Sequence, residues 1–334
     1  MPLSRLYGGV MDLRNALYER GLFKTHPSPV KTLAVGNLSV GGTGKTPMIE
    51  LLIRLLQDRH KIVVISRGYG RKSKGLVVAD TGSTADEIGD EPLQFFRKFQ
   101  PSVRVIVAEK RAVAAEKVRT DFSETDLILL DDAYQHRSIS RDMNILLTDY
   151  NRPFFNDVTF PAGNLREPGR GARRADLVVV TKCPLSLDPA EREQISAAVQ
   201  SNAGKKVPVV FSSVRYGAPV AFDGEHTVAV FNSFIGMAGL ARNQPFQEYL
   251  QRAYSLKKFF PYPDHHHYTT SELPVKELAG DEKTALLTTE KDFVKLLPLA
   301  REASLSHRCF YIPIETVVHE EREFLQTVNS YLEK

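Results

Sequence analysis

The chain has 334 residues, 42% of them apolar and 25% charged, and carries a formal net charge of +4. That is the composition of a globular protein with material for one large α/β domain or two modest ones, and so small a charge argues for an anionic partner only where basic residues cluster. Cys183 and Cys309 form no metal-binding or CxxC spacing, no run reaches the roughly 18 apolar residues of a membrane span, and the first residues lack the apolar core of a signal peptide, so a reducing, cytoplasmic setting is expected.

The first element predicted is a helix within residues 1–24, where Leu3, Leu6, Tyr7, Val10, Leu17 and Tyr18 recur at three- and four-residue steps beside Arg5, Arg14 and Arg20. Periodicity alone favours packing of this stripe on its own domain over contact with an anionic membrane surface. Short Val/Ile/Leu runs then alternate with helical stretches: KTLAVGN, KIVVISR, VRVIVAE, DLILLDD, NILLTDY and DLVVVTK. Runs without polar alternation suit strands buried on both faces, which predicts a mostly parallel sheet with helices on both sides over residues 25–212. After VPVVFSSV a Pro/Gly-containing stretch is read as a linker, 213–225, followed by a smaller α/β unit, 226–334, with HTVAVF, TALLTT and RCFYIP as strands and a last helix from about Val318.

The run KTLAVGN leads into SVGGTGKT and then the apolar helix MIELLIRLL. Strand, glycine-rich loop and helix, ending in Gly-Lys-Thr, is the pattern of a phosphate-binding P-loop. Backbone amides of Ser39, Val40, Gly41, Gly42, Thr43 and Gly44 would surround phosphate oxygens, Lys45 would reach the β- and γ-phosphates, and the Thr46 hydroxyl would ligate Mg²⁺. Ser39 stands where the usual pattern has glycine. The second carboxylate that such a site needs fits Asp131 or Asp132, which follow the apolar run LILL.

Further groups cluster at predicted strand ends, where open α/β sheets bind ligands. Arg67 and Arg71 lie in SRGYGRK. Asp90 and Glu91 lie in GDEP, as helix-start acids or as a general base for a hydroxyl. DDAYQHR adds Gln135 and His136, and the basic loop PAGNLREPGRGARRAD adds Arg166, Glu167, Arg170, Arg173 and Arg174. A metal shared by His265, His266 and His267 is disfavoured because consecutive extended residues point to opposite faces. One histidine bonded to a carboxylate and acting on a proton is the more economical reading.

Taken in order, SVGGTGKTP, SRGYGRK, GDEP, DDAYQHR, NLREP, DHHHY and TTEKD resemble the tetraacyldisaccharide 4′-kinase family, the lipid A 4′-kinases of Gram-negative bacteria. The resemblance covers most of the chain to about residue 295, and the Ser39 departure is shared with that family, whereas Ala133-Tyr134 stand where the family has Gly-Phe. It implies transfer of the ATP γ-phosphate to the 4′-hydroxyl of a tetraacylated glucosamine disaccharide 1-phosphate. It also implies two α/β domains flanking a cleft, with ATP and Mg²⁺ as cofactors; separately, a monomer without a nucleic-acid partner is expected. Peripheral association with the cytoplasmic face of the inner membrane follows as well, which reverses the reading of the N-terminal stripe. By motif position Asp90 is the catalytic carboxylate and His265 its partner, with Lys45 in the P-loop. Glu91, Asp131, Asp132, His136 and Glu167 are supporting or metal-linked, Thr46, Asp131 and Glu167 forming the metal set, and Arg67, Arg71 and Arg166 assist.

Two other readings of the P-loop stay open in the residues themselves. A kinase or ligase for a soluble molecule would use the same cradle. A regulatory nucleotide switch would need an acid two residues after Lys182, where Pro184 stands.

Overall fold

The computed structural model describes residues 2–333. A helix, α1 (Pro2–Glu19), precedes the first sheet. The uninterrupted aliphatic runs form the strands expected of them: β1 (Lys31–Asn37), β2 (Ile62–Ser66), β3 (Val77–Val78), β4 (Val103–Val107), β5 (Leu127–Leu130), β6 (Met143–Asp149), β7 (Leu177–Thr181) and β8 (Val209–Tyr216). With a late strand, β14 (Ile314–Val318), they give a nine-stranded sheet in the order β14-β8-β7-β6-β1-β5-β2-β4-β3. Pairing is parallel throughout except at the two edges, β14 on β8 and β3 on β4.

Helices cover both faces, because a parallel sheet has no face it can leave wet. On one face α2 (Lys45–Leu56), α4 (Asp90–Phe99) and α10 (Glu321–Leu332) bury Ile49, Leu52, Phe95, Phe324 and Val328 against Leu33, Val64 and Val179. On the other, α5 (Arg111–Asp121) packs Ala114, Ala115 and Val118 on Ile65 and Ile128, and α6 (Pro189–Ala203) packs Val199 and Ala203 on Leu146 and Val178. A one-turn helix, α3 (Ala85–Ile88), leads into α4. Tyr134, in the DDAYQHR turn, lies against Gly36 of β1 and donates its buried hydroxyl to Gly171 O at 2.8 Å, which satisfies the polar atom that phenylalanine would lack.

A second sheet runs β11-β10-β12-β13-β9, from β9 (Val220–Ala221), β10 (Ser233–Gly239), β11 (Leu256–Tyr262), β12 (Thr284–Thr289) and β13 (Cys309–Ile312). Phe246 and Leu250 of α7 (Gln244–Ala253) cover one face; Leu278 of α8 (Val275–Ala279) and Leu296 and Ala300 of α9 (Glu290–Glu302) cover the other.

Two sequence expectations change here. HTVAVF is no strand: Val228–Val230 form a single 3₁₀ turn capped by Thr227, and the buried strand starts at Ser233. The C-terminal residues expected in the second unit return to the first sheet. Pro313, which has no backbone N–H to give a ladder, splits the apolar run RCFYIPIETVV into β13 in one sheet and β14 in the other. Val318, Phe324 and Val328 then bury in the core of the larger sheet. The chain leaves that sheet after Tyr216 and re-enters at Ile314, which are register partners, and Gly217 N donates to Pro313 O at 2.8 Å beside them.

The sheets meet where α4 packs on α9. Lys98 Nζ lies 2.8 Å from both Glu50 Oε2 of α2 and Glu290 Oε2 of α9, and Arg97 Nη1 donates to Val294 O at 3.3 Å. Burial and the neighbouring Glu50 push the Glu290 carboxyl up, against the pull of Lys98. Lys98→Met leaves two buried carboxylates facing each other and is expected to destabilise the protein by about 3–5 kcal/mol. The loss should grow from pH 5 to pH 8, as Glu290 is forced to ionise, and urea unfolding at the two pH values measures it.

Candidate active site

The cradle is built where β1 hands over to α2. Gly44, the N-cap of α2, sits at φ 84 and ψ 26, a left-handed conformation that glycine adopts without strain. It turns the chain so that the exposed residues 40–42 meet the positive end of the helix. The loop is pinned from three sides: Asn37 Nδ2 to Thr43 Oγ1 at 2.7 Å, Thr181 Oγ1 to Thr43 O at 2.9 Å, and Val40 N to Asn164 O at 2.8 Å. Ser39 bridges to Leu165, so the position that departs from the usual glycine serves as backbone anchor for the basic loop. Lys182, at φ 61, binds Gly42 O and Asp149 Oδ2 with its ammonium, a second clasp on the cradle from β7.

Lys45 Nζ lies 3.6 Å from Asp132 Oδ1, and Arg166 Nη1 reaches both oxygens of Asp132 at 2.9 and 3.0 Å. Burial raises the Asp132 carboxyl, but Lys45 and Arg166 outweigh it and hold the group ionised. Asp131 is different. Its Oδ2 accepts from Ser66 Oγ at 2.8 Å, while its Oδ1 is buried without a hydrogen-bond partner. Burial first, then the charges of Glu91 and Asp132, push its carboxyl up to about 7. A carboxylate with one oxygen unpartnered and other acids pressing on it, beside the cradle, is the donor that a divalent cation would satisfy.

Asp90 is the first residue of α4 and is 6% exposed. Gly89 and Gly68 lie backbone to backbone: a Cβ on Gly89 would come within 3.2 Å of Gly68 Cα. This contact brings the SRGYGRK loop against the start of α4. From the second sheet, His265 follows β11 at φ 57, a conformation rare outside glycine and characteristic of constrained sites. Its Nδ1 is 3.0 Å from Asp90 Oδ2, and the Tyr69 ring lies 4.9 Å from the imidazole, centre to centre. Lys291 Nζ approaches His265 Nε2 at 3.4 Å. An ammonium has only protons to offer, so in the neutral ring Nε2 accepts and Nδ1–H donates to Asp90. Burial raises the Asp90 carboxyl, but the His265 hydrogen bond and the charges of Lys291 and Lys295 overcome it, holding Asp90 well below the usual carboxylate range. The same hydrogen bond raises the His265 imidazole against its burial.

Glu91 links the two clusters electrostatically, since its charge raises both Asp131 and Lys291. Burial, then Arg111, Arg141, Arg14 and Arg67, push His136 down to about 4, so it stands as a neutral imidazole among arginines.

Two residues expected at the site are committed elsewhere. Glu167, read as a metal ligand, is 1% exposed and accepts from Asn15 Nδ2 at 2.8 Å, Gln135 Nε2 at 3.0 Å and Arg174 Nη2 at 2.7 Å. Those donors occupy both oxygens, and its work is to tie α1 to the basic loop. Arg71 binds Gly75 O at 2.6 Å and Glu109 Oε1 at 2.5 Å, bracing its own loop rather than facing the cradle. Lys291, Lys295, Arg111 and Ser66 were not anticipated. The four-residue step from Lys291, inside TTEKD, to Lys295 is the available signal.

The tetraacyldisaccharide-1-P 4′-kinase (LpxK) family profile matches residues 1–333. A tetraacyldisaccharide 4′-kinase of Cytophaga hutchinsonii is 40% identical over 334 residues, 99% of this chain and 94% of the relative. One of Flavobacterium psychrophilum is 40% identical over 338 residues, 99% and 96%. Among solved structures, LpxK from Aquifex aeolicus in complex with ATP superposes with a TM-score of 0.79 at 30% identity, covering 99% of this chain and 98% of that one. Motif order, sheet topology and whole-length similarity agree: the chain belongs to the tetraacyldisaccharide-1-P 4′-kinase family.

Proposed function

We propose that this chain transfers the γ-phosphate of ATP to the 4′-hydroxyl of a tetraacylated glucosamine disaccharide 1-phosphate. The observation that carries the reading is the 3.0 Å contact between Asp90, on a helix of the cradle's sheet, and His265, on the other sheet. A sugar hydroxyl is a poor nucleophile, and Asp90 would accept its proton as the transition state forms. His265 fixes the carboxylate's orientation through Nδ1–H. The amides of Gly41, Gly42 and Gly44, with Lys45, would hold the phosphates, those of Val40 and Thr43 being bonded to Asn164 O and Gly41 O, and Asp132, itself held by Arg166, pairs with Lys45. Thr46 and Asp131 would hold Mg²⁺, which when bound supplies charge neutralisation on the phosphate oxygens. With the base and its partner on different sheets, closing them on the acceptor would exclude water.

The acyl chains set where the acceptor is met. The polar face of α1 is the docked one: Asn15 reaches Glu167, Tyr7 Oη donates to Arg166 O at 3.0 Å, and Ser4 O accepts from Thr159 Oγ1 at 2.7 Å. Leu3, Leu6, Val10 and Leu13 are 57–67% exposed, joined by Phe160 at 56%. No helix among the described residues is long and apolar enough to cross a membrane. This supports peripheral association through α1 with an anionic surface, the cytoplasmic face of the inner membrane. Incubation with labelled ATP, Mg²⁺ and the disaccharide lipid should place label on the 4′ oxygen; label at another position, or none on lipid, overturns the reading.

A further inference from the structure

Two cations of α9 face Asp90 from the smaller sheet. Lys291 and Lys295 are four residues apart, so helix geometry sets them on one face. Lys295 Nζ is 3.4 Å from Asp90 Oδ2, with its side chain 9% exposed. Its other acidic neighbour is Asp292, whose Oδ1 lies 3.5 Å away, against 3.4 Å for Asp90 Oδ2, while its Oδ2 accepts from Gly239 N at 2.9 Å and Thr289 Oγ1 at 2.7 Å, so Lys295 spans the two carboxylates. Lys291 Nζ is 4.0 Å from Asp90 Oδ2, 2.6 Å from Asp264 Oδ1 and 3.4 Å from His265 Nε2.

A carboxylate as buried as Asp90 has lost its hydration, and desolvation alone favours the protonated form, which cannot accept a proton. His265 is an incomplete remedy, because its charge disappears over the same pH range in which most enzymes work. An ammonium keeps its charge there. The other charged or titratable groups around Asp90 do not replace it: Glu91 and Asp264 are acids, Asp86 is engaged by Lys72 at 2.6 Å, His267 lies 3.8 Å from Asp86, and the Tyr69 ring lies against His265.

We propose that Lys291 and Lys295 are positioning residues that hold Asp90 as an anion once α9 is packed on α4, so that the smaller sheet delivers the charge that keeps the base competent. The proposal rests on the reading of Asp90 as the base. It assigns the α9 lysines to the carboxylate rather than to the nucleotide phosphates.

The test is the pH profile of kcat for the full-length enzyme and for Lys295→Met, Lys291→Met, Lys295→Arg and Asp90→Asn. Either methionine variant is expected to move the acidic limb up by about one pH unit. Activity should then fall about tenfold at the foot of that limb and recover fully on its alkaline side, with the KM for ATP unchanged. Lys295→Arg should return the limb to its original place. A uniform loss at every pH, or a limb that stays put in both methionine variants, overturns the proposal. The two lysine positions are separate reporters, so one variant that does not fold leaves the other decisive. Substantial turnover by Asp90→Asn would instead remove the base reading and this proposal with it, whereas an inactive Asp90→Asn beside unmoved limbs would sink the positioning role alone.

Discussion

Asp90→Asn is expected to lower kcat by about 10²–10⁴-fold, the usual contribution of a positioned general base, while the KM for ATP changes little. Asparagine keeps the shape of the side chain and can still meet His265, so the substitution removes proton-accepting capacity and charge but not volume. Asp90 pairs with His265, Lys291 and Lys295, none of them in the loop 39–46, which is why nucleotide affinity should survive. The cost in stability is separable. Lys291 and Lys295 would face a neutral amide, and the Asp90–His265 pairing would be lost over a defined pH range. The depressed Asp90 carboxyl contributes stability above its ordinary value of 3.8, lost as pH falls through its lowered folded value. The raised His265 contributes below its ordinary 6.5, lost as pH rises through its folded value. The destabilisation of Asp90→Asn should therefore be greatest between about pH 4 and pH 6.5. Single-turnover kinetics and thermal unfolding across pH check the two parts, and near-normal turnover would end the base assignment.

Lys45→Met should behave differently, lowering kcat/KM by about 10²–10³-fold and raising the KM for ATP as well. Its ammonium is the cation at the mouth of the cradle and lies 3.6 Å from Asp132, so both ground-state phosphate and developing charge would miss it. Asp132 would keep Arg166 and stay ionised, which limits structural damage. Arginine at position 45 is not expected to restore activity, because a planar fork does not occupy the place of a compact ammonium. Nucleotide titration beside turnover measures the split. Equal loss in kcat/KM with unchanged ATP affinity would assign Lys45 a role confined to the transition state.

The parts of the site legible in the sequence are those fixed by local chain geometry. Strand, glycine-rich turn and helix around Lys45 are contiguous, and Asp131 follows directly from a buried strand, so pattern and place coincide. Asp90 and His265 were found by motif order, since nothing local announces a contact across 175 residues. What escaped depends on which partner arrives in space. Glu167 and Arg71 have the residue types of a phosphate site, but Asn15, Arg174 and Glu109 reach them first. Lys291 and Lys295 read as surface charges of a helix until the sheet that carries them is set against α4. The stripe on α1 shows the same limit: its period predicts a helix with an apolar face, but only the hydrogen bonds of Asn15, Tyr7 and Ser4 show that the opposite face is the docked one. Beyond Tyr216, an apolar run that one proline divides between two sheets cannot be apportioned by hydrophobicity alone.

The pairing of Tyr216 with Ile314 has an architectural corollary. Strands β8 and β14 are the two arms of one hairpin, and the 97 intervening residues, 217–313, occupy the place of its turn. A short reverse turn would suffice to join those arms, so the nine-stranded layer is topologically complete without its insert. Cradle and metal-ligand candidates belong to that parent layer, while the imidazole and both ammonium groups around Asp90 arrive with the insert. Phosphate holding and the base itself are thus properties of the parent layer, while the groups that orient and charge that base arrive with a single inserted segment.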